Sequence, residues 1–72
     1  MRITYDQEAD AAYIYLVPIS PGGVARTYTC DPNEVKGMIN LDFDRDGRLL
    51  GIEVLDASRS LPGAVLDGAE RS

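Results

Sequence analysis

The sequence has no histidine and no tryptophan, and its 72 residues include one cysteine and one lysine. Without histidine, acid–base catalysis by an imidazole and zinc sites built from Cys and His are excluded. A single cysteine, Cys30, excludes a disulfide within the chain. Lys36 is then the one lysine that could activate a hydroxyl nucleophile, and no spacing pattern places it beside one. We therefore expect no enzyme activity and no cofactor.

Long apolar runs are also missing, and basic residues are few. No segment approaches the length of a membrane-spanning helix and the first residues lack the apolar core of a signal peptide, so we expect a cytoplasmic protein. Seven basic against twelve acidic residues give a net charge of −5. Because such a chain repels phosphate backbones, we expect no direct contact with nucleic acid. Because no apolar run is long enough to span a membrane, we expect no membrane partner. The charge favours a small basic protein as partner.

What the sequence does contain is short β-branched and aromatic runs separated by turn residues, a pattern that predicts strands rather than helices. The predicted strands cover residues 2–5, 12–17, 24–30, 38–43 and 49–55. The predicted fold class is mainly β: a single antiparallel β-meander sheet of about five strands with short helical turns. Residues 1–61 form the predicted sheet domain. Residues 62–72, mostly small or charged, form a loosely ordered C-terminal tail, or one that docks only through Val65 and Leu66.

The segment Asp44–Gly47 predicts a tight hairpin between the last two strands, with a type I turn and Gly47 in the left-handed region. In the predicted register each aliphatic residue faces another, and a slip of one residue would expose the whole set. The predicted pairs are Phe43 with Arg48, Leu41 with Leu50, Ile39 with Ile52, Asp42 with Leu49 and Met38 with Glu53.

Large apolar side chains gather on one face of the predicted sheet: Ile14, Leu16, Ile39, Leu41, Phe43, Leu50, Ile52 and Val54. A single sheet needs a second layer over such a face. Pro62, Gly63 and Gly68 interrupt the segment in which a covering helix would run. We therefore predict a homodimer in which two sheets stack face to face. The alternative is a curled monomer whose tail packs across the sheet.

Tyrosines mark the opposite face as a candidate partner-binding surface. If Ile14 and Leu16 point to the core, Tyr13 and Tyr15 stand together on the other side. The third strand adds two more candidates, Arg26 and Tyr28. Tyrosine and arginine are enriched at protein interfaces. Two alternatives stay open: cross-strand tyrosine pairs that only stabilise a solvated sheet face, and a swap that turns the tyrosines inward.

An acidic segment matches the calcium loop of EF-hand proteins by spacing. Asp42, Asp44 and Asp46 occupy the first, third and fifth positions, Gly47 the sixth and Glu53 the twelfth. An EF-hand also needs helices on both sides of the loop, whereas the flanking residues here have strand periodicity. We therefore interpret the segment as a hairpin turn without a metal. A weak cation site at Asp42, Asp44 and Asp46 is the alternative.

Two stretches of the chain resemble the signatures of domain-of-unknown-function family DUF2283, a family of small prokaryotic proteins. The first contains Tyr5, Asp6, Glu8 and Asp10, followed by Tyr13–Leu16; the second runs over Asn40–Gly47 and Leu50–Ser58. The resemblance implies a small β protein without an established activity. The association of some members with small toxin-like proteins implies an antitoxin-like partner role.

The acidic residues of the first stretch have two interpretations. Asp6 and Asp10 can cap and close a turn, with Glu8 exposed on it. Alternatively, the three carboxylates could bind a cation or a basic partner.

Together these observations predict a small non-enzymatic protein-interaction module, an antitoxin-like or regulatory partner of a basic protein. The alternative is a small cation- or ligand-binding protein that uses the Asp42/Asp44/Asp46 hairpin.

Overall fold

The computed structural model describes residues 1–72 as six strands and two short helices. The strands are β1 (Arg2–Asp6), β2 (Ala11–Tyr15), β3 (Arg26–Thr29), β4 (Met38–Phe43), β5 (Leu49–Leu55) and β6 (Glu70–Arg71). The helices, α1 (Ala57–Ser60) and α2 (Gly63–Asp67), lie between β5 and β6. The mainly β fold class is confirmed.

The strand order is β3-β4-β5-β2-β1-β6, so the predicted simple meander is wrong. Strand β2 pairs with β5 rather than with β3, and β6 lies parallel to β1, which makes a six-stranded mixed sheet. Residues 16–25, which contain two prolines and two glycines, form a long connection instead of a tight hairpin. They join β2 in the middle of the sheet to β3 at its edge. The central place of β2 buries Ala12 directly against Val54, and each side chain is only 2% exposed.

Strands β1 and β2 form the wide hairpin that the sequence predicts, closed by a turn over residues 7–10. The carboxylate of Asp6 accepts hydrogen bonds from the backbone N–H groups of Glu8 and Ala9 at 3.1 and 3.2 Å. It therefore satisfies donors that the turn leaves unpaired. Asp10 ends the turn with a φ of 53°, a left-handed conformation that aspartate tolerates better than most residues.

The hairpin between β4 and β5 has the predicted turn but a different register. Gly47 donates to the carbonyl of Asp44 at 3.0 Å and has a φ of 82°, which confirms the turn. The loop is wider than predicted, because the N–H of Asp44 also bonds to the carbonyl of Arg48 at 2.9 Å. A β-bulge follows at Leu50.

Loop and bulge together shift the register by up to two residues from the predicted one. The observed pairs include Phe43 with Leu49, Leu41 with Ile52, Ile39 with Val54, Asn40 with Glu53 and Met38 with Leu55. Because side chains alternate along a strand, a shift of two keeps the aliphatic residues of β4 opposite those of β5 on one face.

The two helices cover one end of the aliphatic face and form the core with it. The buried apolar residues are Tyr5, Ala12, Val54, Ala57 and Leu66. In the segment 62–72, Leu66 of α2 docks on the core and is only 8% exposed, and β6 pairs with β1. Neither helix has the length and apolar character that crossing a membrane requires.

Candidate functional site

The aliphatic face divides into two rows that run across the strands. We call Tyr5, Ala12, Val54 and Ile39 the covered row, since each is opposite the next in the sheet and the helices pack over it. We call Ile3, Ile14, Ile52, Leu41 and Tyr28 the open row, which lies two residues away along each strand. Three members of the covered row are under 9% exposed. Ile39 and the four aliphatic members of the open row are partly exposed, and Ile52 of the open row also packs against the core.

The predicted aliphatic face is therefore only partly a core. Ile14, Ile39, Leu41, Ile52 and Val54 do share one face, and Val54 alone among them is buried. The other three predicted members, Leu16, Phe43 and Leu50, are half-buried. These partly buried aliphatic side chains lie at adjacent positions in the middle of the sheet, and only Ile39 and Ile52 among them pack against the core.

Two of the predicted partner-binding residues lie on this aliphatic face, so their predicted placement beside Tyr13 and Tyr15 is wrong. Tyr28 is opposite Leu41 and Arg26 is opposite Phe43, and directly opposed residues share a face. The guanidinium of Arg26 stacks over the Phe43 ring, 5.2 Å from its centroid. Tyr28 is 54% exposed and ends the open row at the sheet edge.

Tyr13 and Tyr15 occupy the opposite, polar face together, as predicted, with ring centroids 4.6 Å apart. The Tyr13 ring lies over Gly51, where an added Cβ would come within 2.5 Å of the ring. Its hydroxyl donates to Asp42 Oδ2 at 2.6 Å, and Thr27 Oγ1 donates to Asp42 Oδ1 at 2.6 Å. Burial and the bond to Asp42 raise the pKa of Tyr13 far above its usual value.

A second carboxylate of the polar face, Glu53, accepts a hydrogen bond from Asn40 Nδ2 at 2.9 Å. Neither Asp42 nor Glu53 forms an ion pair; the ion pairs of the chain join Arg2 to Glu70 and Arg48 to two aspartates of its own hairpin. Neutral donors thus fix the two carboxylates beside tyrosine rings and leave their charge uncompensated. A surface of this kind attracts cationic side chains.

The acidic turn of the first sequence signature joins the second signature through Asp10. Tyr5 donates its hydroxyl proton to Asp10 Oδ1 at 2.6 Å. Ser58 donates its N–H to the same oxygen at 3.0 Å and its hydroxyl to Oδ2 at 2.7 Å. The bonds from Tyr5 and Ser58 lower the pKa of Asp10, and the bond to Asp10 raises the pKa of Tyr5. We call these three residues the Asp10 junction.

The three hairpin aspartates point to different partners. Asp44 Oδ1 accepts the N–H groups of Asp46 and Arg48 at 2.9 Å each, and these bonds, led by that of Arg48, lower its pKa. Asp46 binds the Arg48 guanidinium at 3.0 Å, while Asp42 lies on the polar face. Glu53, the twelfth residue of the calcium pattern, bonds to Asn40. The structure assembles no group of three Asp, Glu, His or Cys residues suited to a metal ion.

Sequence reasoning missed the roles of Ser58, Thr27 and Gly51. A glycine inside a strand is a signal of close approach by another group, and Gly51 carried that signal. Ser58 and Thr27 carried none, because their partners lie 48 and 15 residues away in the chain.

Comparisons with known proteins give one match. A family model described as "Protein of unknown function (DUF2283)" matches residues 2–58, a range that contains the whole Asp10 junction. No curated protein and no solved structure matches the chain.

Proposed function

Since the chain belongs to the DUF2283 family of proteins of unknown function, we propose a role based on its two sheet faces. The protein is a small non-enzymatic interaction module. Two copies associate through their open rows, and the polar face of each copy binds a basic protein partner. If that partner is a small toxin-like protein, its binding by the polar face is the antitoxin-like or regulatory role that the family resemblance suggests.

The incomplete burial of the open row is the observation that carries the homodimer. Only 6 of 72 residues are buried, so the chain by itself removes little apolar surface from water. Fully burying one Leu or Ile side chain contributes roughly 1.5–3 kcal/mol. The open row contains three isoleucines and a leucine whose burial is incomplete. Complete burial of these side chains under a second protein surface is therefore favourable.

A second copy suits this surface because the row is apolar along its length. Isologous contact about a two-fold axis places the same surface of each copy against the other, so the apolar side chains of one row meet those of the second row. The axis passes through the middle of the row, near Ile14 and Ile52.

The test is sedimentation equilibrium of the wild type and Leu41→Thr, a substitution that keeps strand propensity but removes apolar surface from the open row. We expect a wild-type dimer at micromolar concentration and at least about a tenfold weaker association for Leu41→Thr. Asn40→Thr changes the neighbouring residue on the polar face and is the matched control. It should associate like the wild type.

Thermal unfolding monitors folding of both variants in the same samples. A wild type that stays monomeric at tens of micromolar and melts cooperatively contradicts the face-to-face dimer. Equal association by Leu41→Thr and the wild type also contradicts it.

The polar face supports the second half of the proposal. Its carboxylates, Asp42 and Glu53, lie beside Tyr13 and have no basic neighbour in an ion pair. The net charge of −5 steers basic proteins toward the molecule.

The basic partner is tested by affinity capture of the tagged chain from its native lysate at low salt. We expect one small basic protein in near-equal amount, released by high salt and reduced in Glu53→Gln. Glu8→Gln, an exposed turn substitution, is the charge-matched control and should capture normally. Recovery of untagged copies alone contradicts a basic partner and leaves the homodimer standing.

A further inference from the structure

We propose that strand β3 also pairs with β3 of a second copy, antiparallel and centred on Tyr28, so that two sheets continue into one. This interface lies at the sheet edge and does not rest on the proposed contact between open rows. Where both form, the protein is a tetramer with two kinds of two-fold contact.

Strand β3 is the unprotected edge of the sheet. Its four residues are all exposed, and it pairs only with β4. A further hydrogen bond to β4, from the N–H of Cys30 to Ile39, extends the regular pairing past Thr29. At the other end the N–H of Ala25 bonds to the carbonyl of Phe43, the residue already opposite Arg26, so the regular alternation begins at Arg26. Soluble proteins usually block a free edge with proline, lysine or a bulge. Residues 24–30 contain no proline and no lysine, and residues 26–29 pair with β4 in one unbroken register.

The opposite edge is closed differently. Strand β6 has only two residues, and its exposed edge offers little backbone for pairing. The two edges are therefore not equivalent, and a second copy has one edge of useful length to extend.

The direction of the β3 peptide groups determines which residues pair. Cys30 donates its N–H to Ile39 of β4, and peptide groups along a strand point alternately to its two sides. Tyr28 and Arg26 thus also face β4. Thr27 and Thr29 direct their N–H and C=O groups away from the sheet, where they have no strand partner.

Antiparallel pairing centred on Tyr28 satisfies those groups and matches the side chains. Thr27 of each copy exchanges two hydrogen bonds with Thr29 of the other, and the two Tyr28 rings meet as a close pair without hydrogen bonds between their backbones. Arg26 falls opposite Cys30 of the second copy, one residue from its Asp31. The basic start of the strand therefore meets the acidic turn that follows the strand, and no like charges face each other.

The pairing also continues the open row. Tyr28 ends that row at the edge, and the two-fold axis places a second Tyr28, with Leu41 behind it, directly beyond. Each apolar row gains a neighbour where the monomer leaves Tyr28 54% exposed.

The decisive variant is Thr29→Pro, which removes an outward N–H. Proline is tolerated on an edge strand where the N–H faces solvent, so the β3–β4 pairing survives. We expect the mass of the assembly in sedimentation equilibrium to fall by half, whereas Thr29→Val, which keeps the N–H, leaves the mass unchanged.

A cross-link tests the register without disturbing the fold. In a Cys30→Ser background, Tyr28→Cys places two thiols at a close antiparallel pair, within reach of a disulfide. Mild oxidation should convert most of the protein to covalent dimer. In this register Thr27 of one copy lies opposite Thr29 of the other, so two copies of the same threonine are two residues apart along the strands. Thr27→Cys and Thr29→Cys should therefore not cross-link.

Each outcome decides between the two interfaces. An assembly whose mass does not change in Thr29→Pro, with no cross-link through Tyr28→Cys, overturns edge pairing. If Leu41→Thr halves that assembly, the contact between open rows still stands. Halving by Thr29→Pro but not by Leu41→Thr supports the edge and overturns the face. Cross-linking through Thr27→Cys or Thr29→Cys instead overturns the register centred on Tyr28.

Discussion

The covered row and the open row are built by the same strands, two residues apart, yet they differ in what lies over them. Val54 and Ala12 are each 2% exposed beneath α1 and α2, while Ile14 and Leu41 next to them remain partly exposed. The periodicity of the strands is the same in both rows. The difference therefore comes from the length of the covering layer, since helices of four and five residues span only one end of the sheet.

The largest expected loss of unfolding free energy comes from a substitution beneath the helices, at the covered row. Leu66→Ala removes the α2 side chain that is 8% exposed in the core, and a buried Leu→Ala change costs about 2–5 kcal/mol. We expect a loss of this size in urea unfolding, the same at every protein concentration.

Leu41→Ala in the open row is the matched comparison for Leu66→Ala. At low protein concentration it should cost clearly less than Leu66→Ala, because Leu41 already contacts water. Its cost should grow with protein concentration if a second copy covers the row. Equal costs for the two variants at the lowest concentration would show that the two rows do not differ.

The next effect concerns the Asp10 junction, which holds α1 against the β1–β2 turn. Asp10→Asn should lower the melting temperature by several degrees at neutral pH, because the acceptor for Tyr5 and Ser58 loses its charge. The pKa of Asp10 is lowered from 3.8 in the folded chain. Its stabilisation is therefore complete above that pH and is lost as the pH falls through the folded pKa.

A thermal melt series from pH 6 to pH 2 measures this effect, and Asp10→Asn should show a shallower loss than the wild type. Glu8→Gln, on the exposed part of the same turn, should keep the wild-type slope. Parallel curves for Asp10→Asn and the wild type would contradict a stabilising role for the junction.

A smaller effect appears at alkaline pH and concerns the polar face. The folded chain raises the pKa of Tyr13 above the usual 10.0, so the unfolded chain loses this proton more readily. The stabilisation is complete below pH 10 and declines as the pH rises above it. Tyr13→Phe should flatten this decline in melts between pH 9 and pH 11. Tyr28→Phe, which changes a phenol without a hydrogen-bond partner, should retain it.

The smallest effect belongs to the hairpin tip. Asp46→Asn removes an exposed ion pair with Arg48, whose side chain is 75% exposed, and surface pairs contribute little. We expect a melting temperature within about two degrees of the wild type. Calcium should leave both proteins unchanged, and a calcium-dependent rise in the melting temperature that Asp46→Asn abolishes would show a cation site.

Local features were predictable from the sequence where local interactions determine them. The bounds of β4 and β5 and the left-handed Gly47 follow from strand periodicity and turn chemistry. The Asp6 turn follows from the ability of a short carboxylate to accept backbone N–H groups. Each of these depends on residues close in the chain.

The arrangement of strands was not predictable in the same way. Periodicity gives the face on which a residue lies within its own strand, but it does not choose the neighbouring strand. The face on which Tyr28 lies depends on the register between β3 and β4. That register places Tyr28 opposite Leu41 rather than on the face of Tyr13. The bulge at Leu50 was also not predictable, because one extra residue in a strand does not change the composition or the residue types of the segment.

Strand β6 has a consequence for the order in which the molecule assembles. It pairs Glu70 with Thr4, so neighbours in the sheet stand 66 positions apart along the chain. During synthesis the ribosome releases residues 2–6 long before residues 70–71 exist. Strand β1 therefore has one side unpaired, and pairs with β2 alone, until residues 70–71 have emerged. A ribosome stalled before that point displays β1 with an open edge that the folded molecule does not have.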